Sequence, residues 1–251
     1  MDSLLIPRNI TALLQSLRDC VNGGYTFWTS GTIGIHKAEK LCAKFHDRYG
    51  VLATRNQRHY NRLNNQASAY LYMYPQIGGD VLDWILIATK GKGAIHEHEK
   101  LADNDSGRRI EKLRWKHYEI INLNNRMTWR LRSDVAEEWE KKMINSARKV
   151  DIEHLQQTTE ILCNFPMFTG VRQQAWKIIQ KAQKTRIRHH YSLLLTIPKL
   201  PVLRRITVYS TPPKTLGILV DEYKERIKSS IYQYDNYQIN NRDSNYAACI
   251  Q

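Results

Sequence analysis

Apolar positions in the first half of this chain switch between a period of about 3.6 and a period of 2, the pattern of helices interleaved with strands. Leu4 to Val21 reads as an amphipathic helix that ends in a turn at Asn22-Gly23-Gly24, and Tyr25 to Thr32 reads as a strand. Ile35, Ala38, Leu41, Cys42, Phe45 and Tyr49 then recur at helical spacing. Gly50 follows where a helix end favours a residue free to take positive φ. Ala67 to Tyr74 alternates, with Ala69, Leu71 and Met73 on one side and Tyr70, Tyr72 and Tyr74 on the other. Val81 to Thr89 is a mostly apolar strand, and Arg114–Leu123 with Met127–Arg132 predicts a hairpin across Asn124-Asn125. Ser133 stands as a cap for the next helix, whose early Asp134, Glu137 and Glu138 and late Arg148 and Lys149 match the helix dipole.

The second half opens with Asp151 as a cap and a helix to about Cys163, followed by a break from Asn164 to Gly170. Another helix is expected from Val171 to about Arg188. Three short β-rich runs follow: Tyr191–Ile197, Val202–Tyr209 and Thr215–Val220, divided by Pro198 to Pro201 and by Pro212-Pro213. A last helix is expected from Asp221 to about Tyr234. The order helix, turn, helix, hairpin resembles a winged helix in outline, although the turn is longer than that motif uses and the likeness is one of element order. The expected fold class is therefore α+β: a meandering mixed or antiparallel sheet with packed helices over residues 1–150, a basic helix-rich unit over 151–234, and a flexible Asn- and Tyr-rich tail over 235–251.

With 251 residues the chain is long enough for two ordinary cores, and 42% hydrophobic content is that of a folded protein. The mean hydropathy of −0.56 says that much of it meets water or a polar partner. Cys20, Cys42, Cys163 and Cys249 are scattered, without a CxxC pair, which fits reduced thiols in the cytoplasm better than a zinc knuckle or a disulfide framework. No segment approaches the roughly 18 apolar residues that span a bilayer, so no membrane association is expected.

Charge changes the picture most. Lys and Arg outnumber Asp and Glu by 38 to 24, for a net charge of +14. Between Ile161 and Val220 there is no acidic residue, while Arg172, Lys177, Lys181, Lys184, Arg186, Arg188, Lys199, Arg204, Arg205 and Lys214 supply +10 of that surplus. On a helical wheel Lys177, Lys181, Lys184 and Arg188 fall within a stripe of about 60°, opposite Val171, Ala175, Ile178, Ile179 and Ala182. Solvated helix faces usually mix Glu with Lys, so an acid-free face points to phosphate binding. The apolar side lacks the Trp, Phe and Leu content that would enter an acyl layer, apart from Trp176 on its flank. A second cluster, Arg55, Arg58, His59 and Arg62, lies in a stretch free of acid from Arg48 to Gly79, just ahead of the Tyr70, Tyr72 and Tyr74 face. Cations beside exposed rings suit single-stranded nucleic acid, and a buried aromatic face under the Ile35–Tyr49 helix is the competing reading.

Candidate chemistry is sparse. Lys90-Gly91-Lys92-Gly93 after a strand could offer amides to a phosphate, but no Walker sequence is present, and a flexible loop explains it better. His96 and His98 would share one side of an extended segment. That spacing resembles the histidine pair of nicking enzymes of rolling-circle replication and conjugation, except that Glu97 stands where they carry a hydrophobic residue. His189 and His190 end the basic helix. The expectation is a non-enzymatic DNA- or RNA-binding protein without a cofactor or metal, acting as a subunit of a nucleoprotein complex with protein partners or as a replication or mobile-element accessory factor. The alternative is a nucleic-acid-cleaving enzyme, either a metal-dependent nickase or a metal-independent ribonuclease.

Overall fold

A computed structural model describes residues 3–104, 111–191, 194–196 and 199–229. Among them are eight helices and two antiparallel sheets, an α+β fold. The elements are α1 (Ile10–Asn22), β1 (Phe27–Gly34), α2 (Ile35–Tyr49), α3 (Arg55–Leu63), β2 (Ala69–Pro75), β3 (Val81–Ala88), α4 (Ala94–His98), β4 (Ala102–Asp103), β5 (Arg114–Trp115), β6 (Tyr118–Leu123), β7 (Arg126–Leu131), α5 (Ser133–Ala147), α6 (Glu153–Cys163), α7 (Thr169–Arg188) and α8 (216–229). The expected tail at 235–251, and the end of the last helix, lie outside the described residues.

The first sheet has the order β2-β3-β1-β4 and the second β5-β6-β7. Strand alternation gives the first sheet two apolar faces. Leu71, Met73, Leu82 and Leu86 join Ala38, Cys42 and Phe45 of α2 and Leu216, Leu219 and Val220 of α8 in one cluster. Ile85, Ile87 and Tyr72 join Leu13, Leu14 and Leu17 of α1 in the other. Each of those leucines contributes about 1.5–3 kcal/mol by leaving water. The second cluster runs on through Ile120, Trp129 and Leu131 of the second sheet to Leu155, Val171, Ile179 and Leu195, so it draws on residues either side of position 150. Trp129 is fully buried and donates its Nε1 proton to the Leu14 carbonyl at 2.6 Å, joining β7 to α1.

Local signals explain most boundaries. Gly50 takes φ 63° and closes α2, and Asn124 and Asn125 take φ 52° and 60° in the β6–β7 turn, as a two-residue hairpin demands. Thr54 and Gln57 form a reciprocal capping box on α3. Two caps differ from expectation. Ser133 is the first residue of α5, not its cap, and Arg132 pairs instead with Asp134 at 2.8 Å. Asp151 accepts the Glu153 amide proton at 2.8 Å from one residue outside the cap position.

Two larger departures come from partners distant in sequence. Helix α1 begins at Ile10 rather than Leu4, because the Asn9 side chain caps Ala12 N at 2.9 Å. Leu4 and Ile6 run extended instead, against Leu216 and Lys214. The three β-rich runs of the second half form no strands among the described residues, and the winged-helix hairpin is absent from them. Val202–Tyr209 is an irregular segment whose neighbour is a helix: the Gln15 amide of α1 donates to Ile206 O at 2.8 Å and accepts from Ile206 N at 3.0 Å. Residues 216–220, expected as a strand, open α8. Gln174 of α7 does the same for edge strand β7, donating to Leu131 O at 3.0 Å and accepting from Leu131 N at 2.7 Å. A β-like composition met by a glutamine amide needs no second strand to satisfy its backbone.

Candidate nucleic-acid interface

Helix α7 places Val171, Ala175, Ile178, Ile179 and Ala182 inside, and Lys177, Lys181, Lys184 and Arg188 on the surface, as the wheel predicts. The surroundings of that stripe differ from its sequence neighbourhood. Helix α5 lies alongside, and a groove lined by Glu137, Glu140, Lys177, Lys181 and Lys184 separates the two helices. Lys181 contacts both carboxylate oxygens of Glu140 at 2.7 Å. The acid-free stretch is therefore supplied with acid by a different helix.

The stripe keeps its charge toward the C-terminal end. Carbonyls of Lys149 and Val150 accept from the Arg186 guanidinium at 2.9 and 3.3 Å, and Arg148 O accepts from Tyr191 Oη at 2.7 Å. These bonds draw the ends of α5 and α7 together. Arg148, Lys149, Lys184 and Arg188 are all exposed there, with no ion pair among the described residues. His189 stacks against Tyr191 at a ring separation of 5.9 Å, and both His189 and His190 are exposed.

Several expected contact residues are interior. Arg186 is 1% exposed, lies with its guanidinium 4.7 Å from the centre of the Tyr191 ring, and is a structural clamp. Arg58 is 7% exposed; it donates to Val51 O at 2.6 Å and Ala69 O at 3.3 Å and sits 3.7 Å from the Tyr70 ring centre. A helical face that holds Arg55 and Arg62 outside turns Arg58 inward. Tyr72 is 8% exposed, its hydroxyl 3.3 Å from Cys20 Sγ. Burial and the neighbouring Cys20 raise its ionisation well above the ordinary tyrosine range. Tyr70 packs on Tyr25 at 5.0 Å, and Tyr70 and Tyr74 are half-buried. The tyrosine face is thus a packed layer and not an open platform, and its cover is α1 rather than α2.

The remaining expected residues stay at the surface. Arg55, Arg62 and Arg204 are exposed, Arg172 is half-buried, and Arg205 approaches Asp19 at 3.4 Å. Lys90 and Lys92 are exposed too, but the loop between them is pinned: Ala67 N donates to Lys92 O at 2.9 Å and Lys92 N to Asn65 O at 2.8 Å. That use of the Lys92 amide removes it from any phosphate cradle. His96 and His98 belong to helix α4, where residues two apart diverge by about 200°, so they do not form the pair an extended segment would. His96 Nε2 lies 2.9 Å from Thr89 O and its ring meets Phe27 edge-on. Sequence reasoning missed Arg148 and Lys149 as members of the surface because only the Arg186 clamp brings them to α7.

The class of protein that emerges is an α+β domain with a basic surface built around one long helix. No family model, curated protein or solved structure matches the chain. Among the described residues no helix is long and apolar enough to cross a membrane.

Proposed function

We propose that this protein binds DNA or RNA through the joined C-terminal ends of α5 and α7, as a non-enzymatic component of a cytoplasmic nucleoprotein complex with further protein partners. The supporting observation is the exposed cluster of Lys184, Arg188, Arg148 and Lys149 at those ends, with Lys177 further back along the stripe, in which no residue is ion-paired among the described residues. Cations held on a rigid helix pair meet a phosphate backbone without first breaking internal pairs. Arg55, Arg62, Arg172, Arg204 and Arg205 extend the positive field over the rest of the surface and would add to the encounter rate.

Phosphate contacts release counterions, so affinity should fall steeply with salt, by on the order of a thousandfold between 50 and 200 mM for six contacts. Replacing Lys177, Lys184 and Arg188 together by Gln should weaken binding and lower the slope of log affinity against log salt by about one per residue removed. Fluorescence anisotropy with labelled single- and double-stranded oligonucleotides measures both quantities. A salt-independent affinity, or a slope unchanged in the triple variant with its fold intact by circular dichroism, would overturn the reading.

A further inference from the structure

The geometry points to a phosphate-monoester site in the cleft between the β6–β7 turn and the N-terminus of α7, formed by Arg18, Arg126, Thr128 and Thr169. This site is separate from the basic face described above and stands whether or not that face binds nucleic acid.

The cleft encloses about 570 Å³, within the range of small-ligand pockets, and its walls include no carboxylate. Arg18 comes from α1, Asn124 from the hairpin turn, Arg126 and Thr128 from β7, and Thr169 and Gln173 from α7. A smaller adjoining pocket shares Arg18 and Thr169 and adds Arg172. Three arginines from three distant parts of the chain therefore converge on one helix end.

That helix end is open. Phe168 occupies the cap position of α7 with no side-chain hydrogen bond, and the first turn carries no acid. A helix of 20 residues with an uncapped N-terminus presents amide protons and about half a positive charge to whatever lies in front of it. Thr128 is 6% exposed and lines the cleft, and its hydroxyl has no hydrogen-bond partner among the described residues. The hydroxyl is not shut away from water, so it is free to donate to an anion that enters the cleft.

Arg18 is already held in place. Its Nε and Nη2 lie 3.2 and 2.9 Å from Asp19 Oδ1, and its guanidinium carbon is 5.6 Å from the centre of the Phe168 ring. Asp19 offsets part of its charge, but Arg205 also approaches Asp19, and Arg126 is exposed with no ion pair among the described residues. Arg126 opens β7 directly after a turn fixed by two positive-φ asparagines, so its backbone is already ordered when an anion arrives. A phosphate dianion would accept from the α7 amides, from Thr128 and Thr169, from the forked donors of Arg126, and from Arg18 Nη1, the guanidinium nitrogen that Asp19 does not engage.

A phosphate monoester can arrive on a free small molecule or at the end of a nucleic-acid strand. Isothermal titration of the full chain with pyrophosphate should show saturable binding, weakened about tenfold by Arg126→Gln, a loss in line with one charge-assisted hydrogen bond. Thr128→Val keeps the shape of a side chain that bonds to nothing, so it should weaken binding without lowering the melting temperature. Lys177→Gln with Lys184→Gln should leave it unchanged. A 5′-phosphorylated oligonucleotide that binds better than its 5′-hydroxyl twin, with the difference abolished by Arg126→Gln, assigns the site to strand ends. Equal binding of the two oligonucleotides, with adenosine monophosphate competing for pyrophosphate, assigns it to a free phosphoester. Absence of saturable pyrophosphate binding, or equal binding by wild type, Arg126→Gln and Thr128→Val, would overturn the proposal, and neither result bears on the lysine face of α7.

Discussion

The α7 stripe and the α3 cluster begin alike, as cations at helical spacing within sequence that contains no acid, and tertiary structure treats them differently. In α7 the middle of the stripe faces another helix, and Glu140 takes up Lys181 while Glu137 lines the same groove. In α3 no acid arrives: Arg55 and Arg62 stay exposed without an ion pair among the described residues, and Arg58 is drawn inward to backbone carbonyls and a ring. Charge balance is therefore a property of neighbours in space. A run of like charge shows where compensation by nearby sequence is missing, and packing decides whether the compensation comes from elsewhere.

The sharpest way to break this comparison is to exchange a buried cation for an exposed one on the same helix. Arg186→Met should cost about 3 kcal/mol of unfolding free energy, because it strands the Lys149 and Val150 carbonyls and removes the clamp between α5 and α7. Arg188→Gln, two residues on, should change stability by less than about 0.5 kcal/mol. Urea titration compares the two directly, and equal effects would mean that Arg186 is no clamp.

On α3 the same contrast should be somewhat smaller. Arg58→Leu leaves Val51 O and Ala69 O without their donor and uncovers Tyr70, a loss of about 2 kcal/mol, whereas Arg55→Gln should leave stability unaltered. If instead Arg55→Gln destabilises as much as Arg58→Leu, the division of this helix into inner and outer cations fails.

Alkaline pH probes the packed face beneath Arg58. Burial pushes Cys20 from 9.0 up to about 11, and Cys42 on the other face of the sheet likewise to about 11. A raised thiol favours the neutral form in the folded state, so its stabilising contribution is complete below pH 9 and disappears as pH climbs from 9 through 11. Melting temperature should fall over that window in wild type and fall less in Cys20→Ala relative to its own value at pH 8. A parallel decline in both would remove Cys20 as a source.

The smallest expected effect concerns the α5–α7 groove. Glu140→Gln frees Lys181, costs less than about 1 kcal/mol as a surface pair, and should raise nucleic-acid affinity a fewfold at low salt. Unchanged affinity would place Lys181 outside the interface.

Much of the fold is legible in the chain. The periodicity of α2, its glycine end, the two-faced β2, the Asn124-Asn125 hairpin and the amphipathic α7 all follow from local chemistry that acts over a few residues. The irregular path of Val202–Tyr209 is not legible, since β-branched residues favour an extended chain but say nothing about whether a strand or a glutamine amide will sit beside it. The start of α1 turns on one asparagine cap that hydrophobic spacing overruns.

What the sequence by itself determined is the kind of surface: an excess of cations concentrated in one region, carried on a helix whose apolar side has to be buried. Which of those cations remain available only the tertiary structure decided, because a charge is silenced by whatever stands within a few ångströms of it. Glu140 is 41 residues from Lys181 in the chain and 2.7 Å from it in the fold. Arg18, Arg126 and Arg172, unremarkable where they stand in the sequence, meet at a helix end that no local pattern could have joined.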